Sequence, residues 1–132
     1  MRNRGSVVLI EDQKVVLIKR VREGSVYYVF PGGGIEEGET PEEATKREAL
    51  EELGVEVRVG ECLEKLIFND GTQYFFLSEI VSGTIGSGKG EEYTDSSRNR
   101  GTYEPMWVDI ARLPFLNVKP KEIALKVQSL IK

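Results

Sequence analysis

The sequence contains no histidine and only one cysteine among its 132 residues. Without histidine, Ser-His-Asp triads, Cys-His dyads and zinc sites with imidazole ligands are excluded. Acid–base chemistry would therefore fall to carboxylates, tyrosine, lysine or water. The one cysteine, Cys62, cannot form an internal disulfide, which agrees with a reducing cytosol. Its alternation with apolar residues predicts a buried strand thiol.

The sequence also lacks a long apolar run. Charged residues flank the short apolar segments near the N-terminus, so we expect no signal peptide, no membrane span and a cytoplasmic location. Lysine and arginine number 18 against 22 acidic residues, a net charge of −4. This balance argues against nucleic-acid binding by a basic surface. The length and the 39% apolar content fit a single domain over residues 1–132.

Apolar and β-branched runs predict six strands, at residues 5–11, 14–21, 26–30, 55–68, 72–81 and 101–108. One helix is predicted after the third strand and another after Pro120, with an apolar stripe formed by Ile123, Val127, Leu130 and Ile131. This order indicates an α/β domain with a mixed sheet between helices. Residues 82–100 are polar and glycine-rich, which predicts a long loop, either a binding lid or a passive surface segment.

The helix predicted after the third strand has an acidic face. Because an α-helix turns 100° per residue, three glutamates fall on one side: Glu48, Glu51 and Glu52. The other side is apolar, with Ala49, Leu50 and Leu53. Converging carboxylates repel one another unless a cation neutralises them, and hard oxygen donors suit Mg²⁺ or Mn²⁺. The alternative is a solvated acidic face on a surface helix.

The ends of this helix are well specified. Thr40 and Glu43 match a capping box, a proline occupies the first helical position, and Gly54 provides the stop. Arg47 lies four residues from both Glu43 and Glu51, so we expect it to bridge two turns and hold the carboxylates in place.

Three consecutive glycines, at positions 32–34, precede the helix. Glycine allows backbone conformations closed to other residues and lets carbonyl and amide groups approach a ligand. No Gly-Lys-Ser/Thr follows, so this is not a Walker loop.

The segment from the glycines to the end of the helix resembles the signature of Nudix hydrolases, G-x5-E-x7-R-E-U-x-E-E-x-G-U, in which U is apolar. The matching positions are Gly33, Glu39, Arg47, Glu48, Ala49, Glu51, Glu52, Gly54 and Val55. Ala49 is smaller than the usual residue at its position, which we interpret as a variation in packing. The resemblance implies a Nudix-type α/β/α sandwich, with a mixed β-sheet between helices. It also implies metal-dependent hydrolysis within the pyrophosphate of a nucleotide.

The resemblance further implies roles for the acidic face. Glu48 and Glu52 would bind Mg²⁺, or Mn²⁺ in its place, together with the main-chain carbonyl of Gly32. Glu51 would hold a second metal ion or its water, and one of the three carboxylates would act as the general base. Arg47 would orient them.

Glu104 stands where many Nudix sequences have a further acidic residue, with Glu91 and Glu92 as alternative ligands. Other residues are candidates for contact with the substrate: Gly33, Gly34, Glu39, Tyr28 and Arg20. Tyr28 would stack on a base or pack in the core, Arg20 would meet a phosphate or solvent, and Glu39 would anchor the glycine loop to the helix.

The expected partner is a small-molecule nucleotide, and a homodimer is possible for this family. The small size favours a nucleoside triphosphate, as in MutT-like members, over a dinucleoside polyphosphate or ADP-ribose. A module that senses a nucleotide without cleaving it, and a non-hydrolytic enzyme such as an isomerase, are the functional alternatives.

Overall fold

The structure is a computed structural model that describes residues 3–85 and 102–131. Within these ranges the chain forms eight strands, two α-helices and one 3-10 helix. In chain order they are β1 (Arg4–Glu11), β2 (Lys14–Arg22), β3 (Ser25–Val29), β4 (Gly32–Gly34), α1 (Pro41–Leu53), β5 (Val55–Phe68), β6 (Gly71–Gly83), β7 (Thr102–Asp109), the 3-10 helix (Ile110–Phe115), β8 (Val118–Lys119) and α2 (Lys121–Leu130). In the described part of the chain, no helix is long and apolar enough to cross a membrane.

The strands form a mixed sheet in the order β5-β6-β1-β2-β3-β8, with β4 beside β1 and β7 beside β2. β1 runs parallel to β6, and β3 runs parallel to β8. The other pairs are antiparallel. β1 divides between two neighbours, since residues 4–6 pair with β4 whereas residues 10–11 pair with β2. The sheet therefore branches along β1, with β4 on one branch and β2, β3, β7 and β8 on the other.

Side chains alternate between two apolar layers on opposite faces of this sheet. One layer packs under α1 and contains Val7, Leu9, Val16, Ala49, Leu53, Val55 and Val57. The other packs under α2 and the 3-10 helix, and its largest members include Leu17, Phe30, Phe75 and Ile123. Helices thus cover both faces of a mixed sheet, which confirms the predicted α/β/α architecture.

The termini of α1 follow the predicted chemistry. The Thr40 side chain accepts a hydrogen bond from the Glu43 amide, and the Glu43 carboxylate accepts one from the Thr40 amide. Gly54 ends the helix in the left-handed region, at φ 77°, where glycine carries no Cβ penalty. Because Glu43 uses its carboxylate in the cap, the predicted bridge from Arg47 to Glu43 is wrong. Arg47 binds Glu39 in its place.

Three predicted core positions are exposed in the structure. Leu50 lies 100° around α1 from Ala49, outside the buried stripe, and its side chain faces solvent. Leu130 is exposed at the last residue of α2. Cys62 is exposed because the β5–β6 register shifts on both sides of it, which breaks the inward–outward alternation of the strand.

The structure adds two short strands, β4 and β8, and the 3-10 helix to the predicted elements, and one strand extends into the predicted loop. β6 continues through Gly83, so the first residues of the predicted loop at 82–100 belong to a strand. The remainder of that loop, residues 86–100, lies outside the described residues.

Close contact between α1 and β1 depends on Gly5. A Cβ atom at this position would lie 2.6 Å from the Thr45 side-chain oxygen and 2.9 Å from the Pro41 carbonyl oxygen. Thr45 is buried, and its hydroxyl donates to that same carbonyl at 2.9 Å. Glycine at position 5 therefore lets the first turns of α1 lie directly on β1.

Gly5→Ala should lower the free energy of unfolding by about 1–3 kcal/mol, because the added methyl group overpacks this contact. Urea denaturation measures the change. Thr45→Ala removes the nearer of the two opposing atoms, so Gly5→Ala should cost less in that background than in the wild type. Strict additivity of the two substitutions would contradict this account. Glu11→Ala, an exposed change in the same strand, is the control.

Candidate active site

The glycines of β4 are fixed between β1 and α1. Gly32, Gly33 and Gly34 pair with residues 6, 5 and 4 of β1, and the Val7 amide donates to the Pro31 carbonyl at 2.9 Å. A Cβ atom on Gly32 would collide with the backbone of β1. The loop that leads to α1 is therefore a short strand with a defined position.

Two glutamates of α1 lie against this strand. The Gly32 amide donates to a carboxylate oxygen of Glu52 at 2.8 Å, and Glu52 is only 9% exposed. The carboxylate of Glu48 lies so close to Gly33 that any Cβ at that position would collide with it, and its side chain is 14% exposed. Because the residues are four apart, both reach the same side of the helix. Two largely buried carboxylates thus converge on the glycine strand.

Arg47 links the helix, the loop and one of these carboxylates. Its guanidinium donates two hydrogen bonds to Glu39, at 2.7 and 3.1 Å, and one to the Gly34 carbonyl at 3.0 Å. It also donates to Glu48 at 3.0 Å and to Glu51 at 3.3 Å. The forked geometry of arginine allows one side chain to make all these contacts. Arg47 therefore orients Glu48 and joins the loop to α1.

The same contacts shift two pKa values. Hydrogen bonds from Arg47 and from the Glu36 amide hold the pKa of the Glu39 carboxyl below its ordinary value. The Glu39 hydrogen bond, with a contribution from Glu48, raises the pKa of the Arg47 guanidinium. Both members of the pair stay charged around neutral pH.

Glu51 does not join Glu48 and Glu52 in the cleft. Its side chain is 53% exposed, and one carboxylate oxygen accepts from Arg47. The acidic face predicted from the sequence is therefore divided, with two carboxylates inside the cleft and one at its rim.

A cleft of about 500 Å³ opens beside the carboxylates, within the usual size range of small-molecule sites. Its lining comprises Arg4, Ile18, Arg20, Val29, Phe30, Gly32, Gly33, Glu48, Glu52, Gln73, Tyr103, Lys119 and Pro120. Both branches of the sheet contribute, together with α1. Sequence reasoning found the two glutamates, two of the glycines and Arg20, but missed four polar or charged residues: Arg4, Gln73, Tyr103 and Lys119.

The other predicted contacts have different surroundings. Tyr28 packs against the apolar core on the α2 side of the sheet and does not line the cleft. Gly34 and Glu39 both accept hydrogen bonds from Arg47, and their contact with a substrate stays a prediction.

Glu104 is not brought into the cleft. Tyr103 lines the cleft, and neighbouring residues of a strand point to opposite faces of a sheet. Glu104 is exposed and pairs with Lys19 across the strands. The alternatives Glu91 and Glu92 lie outside the described residues.

The donor groups of the cleft fit a hard divalent cation. Among residues 3–85 and 102–131, no three carboxylate, thiol or imidazole groups lie close enough together to hold an ion alone. Mg²⁺ commonly uses one or two carboxylates and completes its octahedron with water and substrate phosphates. Glu48 and Glu52 supply such a pair, and glycine at position 33 leaves the space that a side chain would fill. The Gly32 carbonyl already accepts from Arg4 at 3.4 Å, so an ion at that oxygen would lie beside a guanidinium.

The sequence is similar to proteins of a known family. The model of the NUDIX domain matches residues 1–126. The chain belongs to the NUDIX domain family. A Bacillus subtilis protein named as a candidate 8-oxo-dGTP diphosphatase is 31% identical to this Nudix chain over 116 residues, which cover 85% of the chain and 68% of that protein.

Two further proteins are similar to this chain, one over part of its sequence and one in its fold. An 8-oxo-dGTP diphosphatase of Haemophilus influenzae is 41% identical over 64 residues, 48% of this Nudix chain and 47% of that protein. The chain thus spans about half the length of that relative. A MutT Nudix hydrolase structure from Burkholderia pseudomallei aligns with a TM-score of 0.72 and 24% identity over 95% of each chain, which shows a shared fold.

Glu39→Gln should reduce stability in a pH-dependent way. Because the folded-state pKa of Glu39 is lowered from 4.5, ionised Glu39 stabilises the fold above that value, and the contribution is lost as the pH falls through the lowered pKa. Urea unfolding across this range should show a constant difference from wild type near neutrality that shrinks below about pH 4.5. A difference independent of pH would contradict this expectation. Glu37→Gln, exposed in the same loop, is the control.

Proposed function

We propose that this Nudix chain is a Mg²⁺- or Mn²⁺-dependent pyrophosphohydrolase that cleaves the pyrophosphate linkage of a nucleotide, with nucleoside triphosphates as the preferred class. One observation carries the proposal. Two largely buried carboxylates, Glu48 and Glu52, are held against Gly33 and Gly32 at the wall of a nucleotide-sized cleft. Burying two like charges is costly unless a cation offsets them, and a polyphosphate substrate brings such a cation.

The chemistry divides between the metal ion and the chain. A bound Mg²⁺ or Mn²⁺ would supply charge neutralisation and Lewis acidity towards the phosphoryl oxygens. Glu48 and Glu52 would hold the ion, with Glu52 fixed by the Gly32 amide and Glu48 fixed by Arg47. One of the cleft carboxylates accepts the proton of the attacking water. The water oxygen forms a new bond to phosphorus while the bridging P–O bond breaks, and the released phosphate keeps the bridging oxygen.

The substrate preference rests on two supports. The relatives described above are named for the hydrolysis of 8-oxo-dGTP, a nucleoside triphosphate. The cleft also presents cationic side chains at Arg4, Arg20 and Lys119, which suit the negative charge of a polyphosphate. Dinucleoside polyphosphates and ADP-ribose are the alternative substrates within the same reaction class.

We place this activity in the cytoplasm and on small molecules. The net charge of −4 disfavours attraction to a nucleic-acid backbone, and a single cysteine suits a reducing compartment. The homodimer suggested by the family resemblance stays a prediction.

Glu52→Gln should lower kcat by about 10²- to 10⁴-fold, the range typical for loss of an acid–base group. The glutamine oxygen can still accept from the Gly32 amide, so the fold should be retained. Release of phosphate or pyrophosphate from nucleoside triphosphates, ADP-ribose and dinucleoside polyphosphates, with Mg²⁺, with Mn²⁺ and with a chelator, measures the effect.

Glu42→Gln is the matched control, because Glu42 is exposed in the first turn of the same helix and should leave turnover unchanged. Near-normal turnover by Glu52→Gln would refute the assignment of Glu52. Tight nucleotide binding with no metal-dependent turnover by the wild type would identify a sensing module in place of a hydrolase.

A further inference from the structure

The main chain of Gly32 directs both of its polar groups away from β1. The Val7 amide donates to the Pro31 carbonyl at 2.9 Å, and Gly32 is the next residue, opposite Ser6. Hydrogen-bonded and non-hydrogen-bonded pairs alternate along an antiparallel ladder, so the amide and the carbonyl of Gly32 are left for partners outside it. The amide donates to Glu52 at 2.8 Å. The carbonyl therefore lies on the same side of β4 as this carboxylate.

The partner of that carbonyl is the guanidinium of Arg4. A terminal nitrogen of Arg4 donates to the Gly32 oxygen at 3.4 Å, and Arg4 lines the cleft with the two buried carboxylates. In the part of the chain that the structure describes, this is the one hydrogen bond that the Arg4 side chain makes, although arginine has five N–H donors. The contact is also long for a hydrogen bond between nitrogen and oxygen. The guanidinium of Arg4 is therefore weakly held.

Arg47 shows how a firmly held guanidinium differs. It donates five hydrogen bonds, at 2.7 to 3.3 Å, to three carboxylates and one carbonyl. The main chain of Arg4 is fixed as well, because it pairs with Gly34 on one side and with Gln73 on the other. Arg4 thus combines a fixed backbone with a guanidinium that a competing ligand of the carbonyl can displace.

A divalent ion at the Gly32 oxygen would lie close to this guanidinium. With the Arg4 nitrogen 3.4 Å from that oxygen and the ion about 2 Å from it, the ion and the nitrogen would be no more than about 5.5 Å apart. A carbonyl has two lone pairs, so it has room for both partners. The separation is shorter than the Debye length of about 8 Å in physiological salt, so their repulsion is only partly screened. Ion binding therefore costs either the Arg4 hydrogen bond or this repulsion.

We propose that Arg4 lowers the affinity of the nucleotide-free protein for its divalent ion, because it occupies the Gly32 carbonyl and places a positive charge beside Glu48 and Glu52. Arg4 is a positioning residue, since it acts on the reaction through the metal site. An ion that arrives with a polyphosphate brings oxygen ligands and negative charge of its own, and is less affected by the guanidinium. The inference rests on the proposed function, because it takes both carboxylates and the Gly32 oxygen as ligands of the ion.

The test is Mn²⁺ binding by the nucleotide-free protein, measured from the loss of the electron paramagnetic resonance signal of free Mn²⁺. Arg4→Gln should lower the Kd for Mn²⁺ by about 10- to 100-fold, the range that corresponds to one charge-assisted hydrogen bond. Arg4→Met keeps the aliphatic part of the side chain, carries no donor and should have the same effect. The result then does not depend on the folding of a single variant.

Lys119→Gln is the matched control. Lys119 also lines the cleft, but its ammonium nitrogen lies 4.7 Å from the centre of the Tyr27 ring. This variant removes the same charge from the cleft and should leave the Kd for Mn²⁺ close to the wild-type value. Equal tightening by Lys119→Gln and Arg4→Gln would contradict the proposal, since only the net charge of the cleft would then matter. Unchanged or weaker Mn²⁺ binding by both Arg4 variants would also overturn it.

A double substitution tests where the ion binds. Glu52→Gln in the Arg4→Gln background should abolish the tightened Mn²⁺ binding, because the ion would lose a carboxylate ligand. Tight binding that persists in the double variant would place the ion outside the cleft and overturn the proposal.

Hydrolysis of nucleoside triphosphates by the wild type, measured in parallel with Mg²⁺, separates this inference from the proposed function. Tighter Mn²⁺ binding by the Arg4 variants, in a protein whose wild type shows no turnover, would remove the proposed hydrolase and support the role of Arg4. Turnover by the wild type, with Mn²⁺ affinities that do not depend on Arg4, would support the hydrolase and overturn the inference.

Discussion

The burial of two carboxylates against a strand of glycines is the constraint on which the rest of the site depends. Glu48 and Glu52 lose most of their contact with water, which costs free energy for charged groups. The Gly32 amide and the Arg47 guanidinium offset part of that cost. These contacts are possible only because β4 has no side chains and α1 lies directly on β1 at Gly5. Packing between the helix and the sheet therefore determines where the acidic groups lie.

The branching of the sheet brings both signs of charge to one cleft, with Arg4 the cation on the same branch as the glycine strand. β1 pairs with β4 at one end and with β2 at the other, so the acidic groups of α1 lie near one branch. Arg20 and Tyr103 belong to the paired strands β2 and β7 of the second branch. A metal ion and a polyphosphate would together satisfy both sides, since the ion neutralises the carboxylates and the phosphates neutralise the cations. The metal ion and the substrate would therefore each favour binding of the other.

Local chemistry made much of the fold predictable. The capping box, the terminal glycine of α1 and the alternating strand patterns depend on neighbours within a few residues, and the structure confirms each of them. Two failures are local to α1, the Arg47–Glu43 bridge and the exposed Leu50. The others involve non-local contacts. β4 has no side-chain pattern that would identify it as a strand, and Cys62 changes face because of register shifts between β5 and β6. The cations of the cleft lie far apart in the chain, as Arg20 and Lys119 do, and sequence spacing alone does not bring them together.

The most direct test of the central claim is the anomalous difference density of a crystal of the wild-type protein equilibrated with Mn²⁺ and a non-hydrolysable nucleoside triphosphate. We expect a peak between the carboxylates of Glu48 and Glu52, about 2 Å from their oxygen atoms, as for a small divalent ion with oxygen ligands. Phosphate oxygens of the nucleotide should share the same ion. A peak only at the exposed rim carboxylates, such as Glu51, or no peak at saturating Mn²⁺, would contradict the assignment of Glu48 and Glu52 as metal ligands.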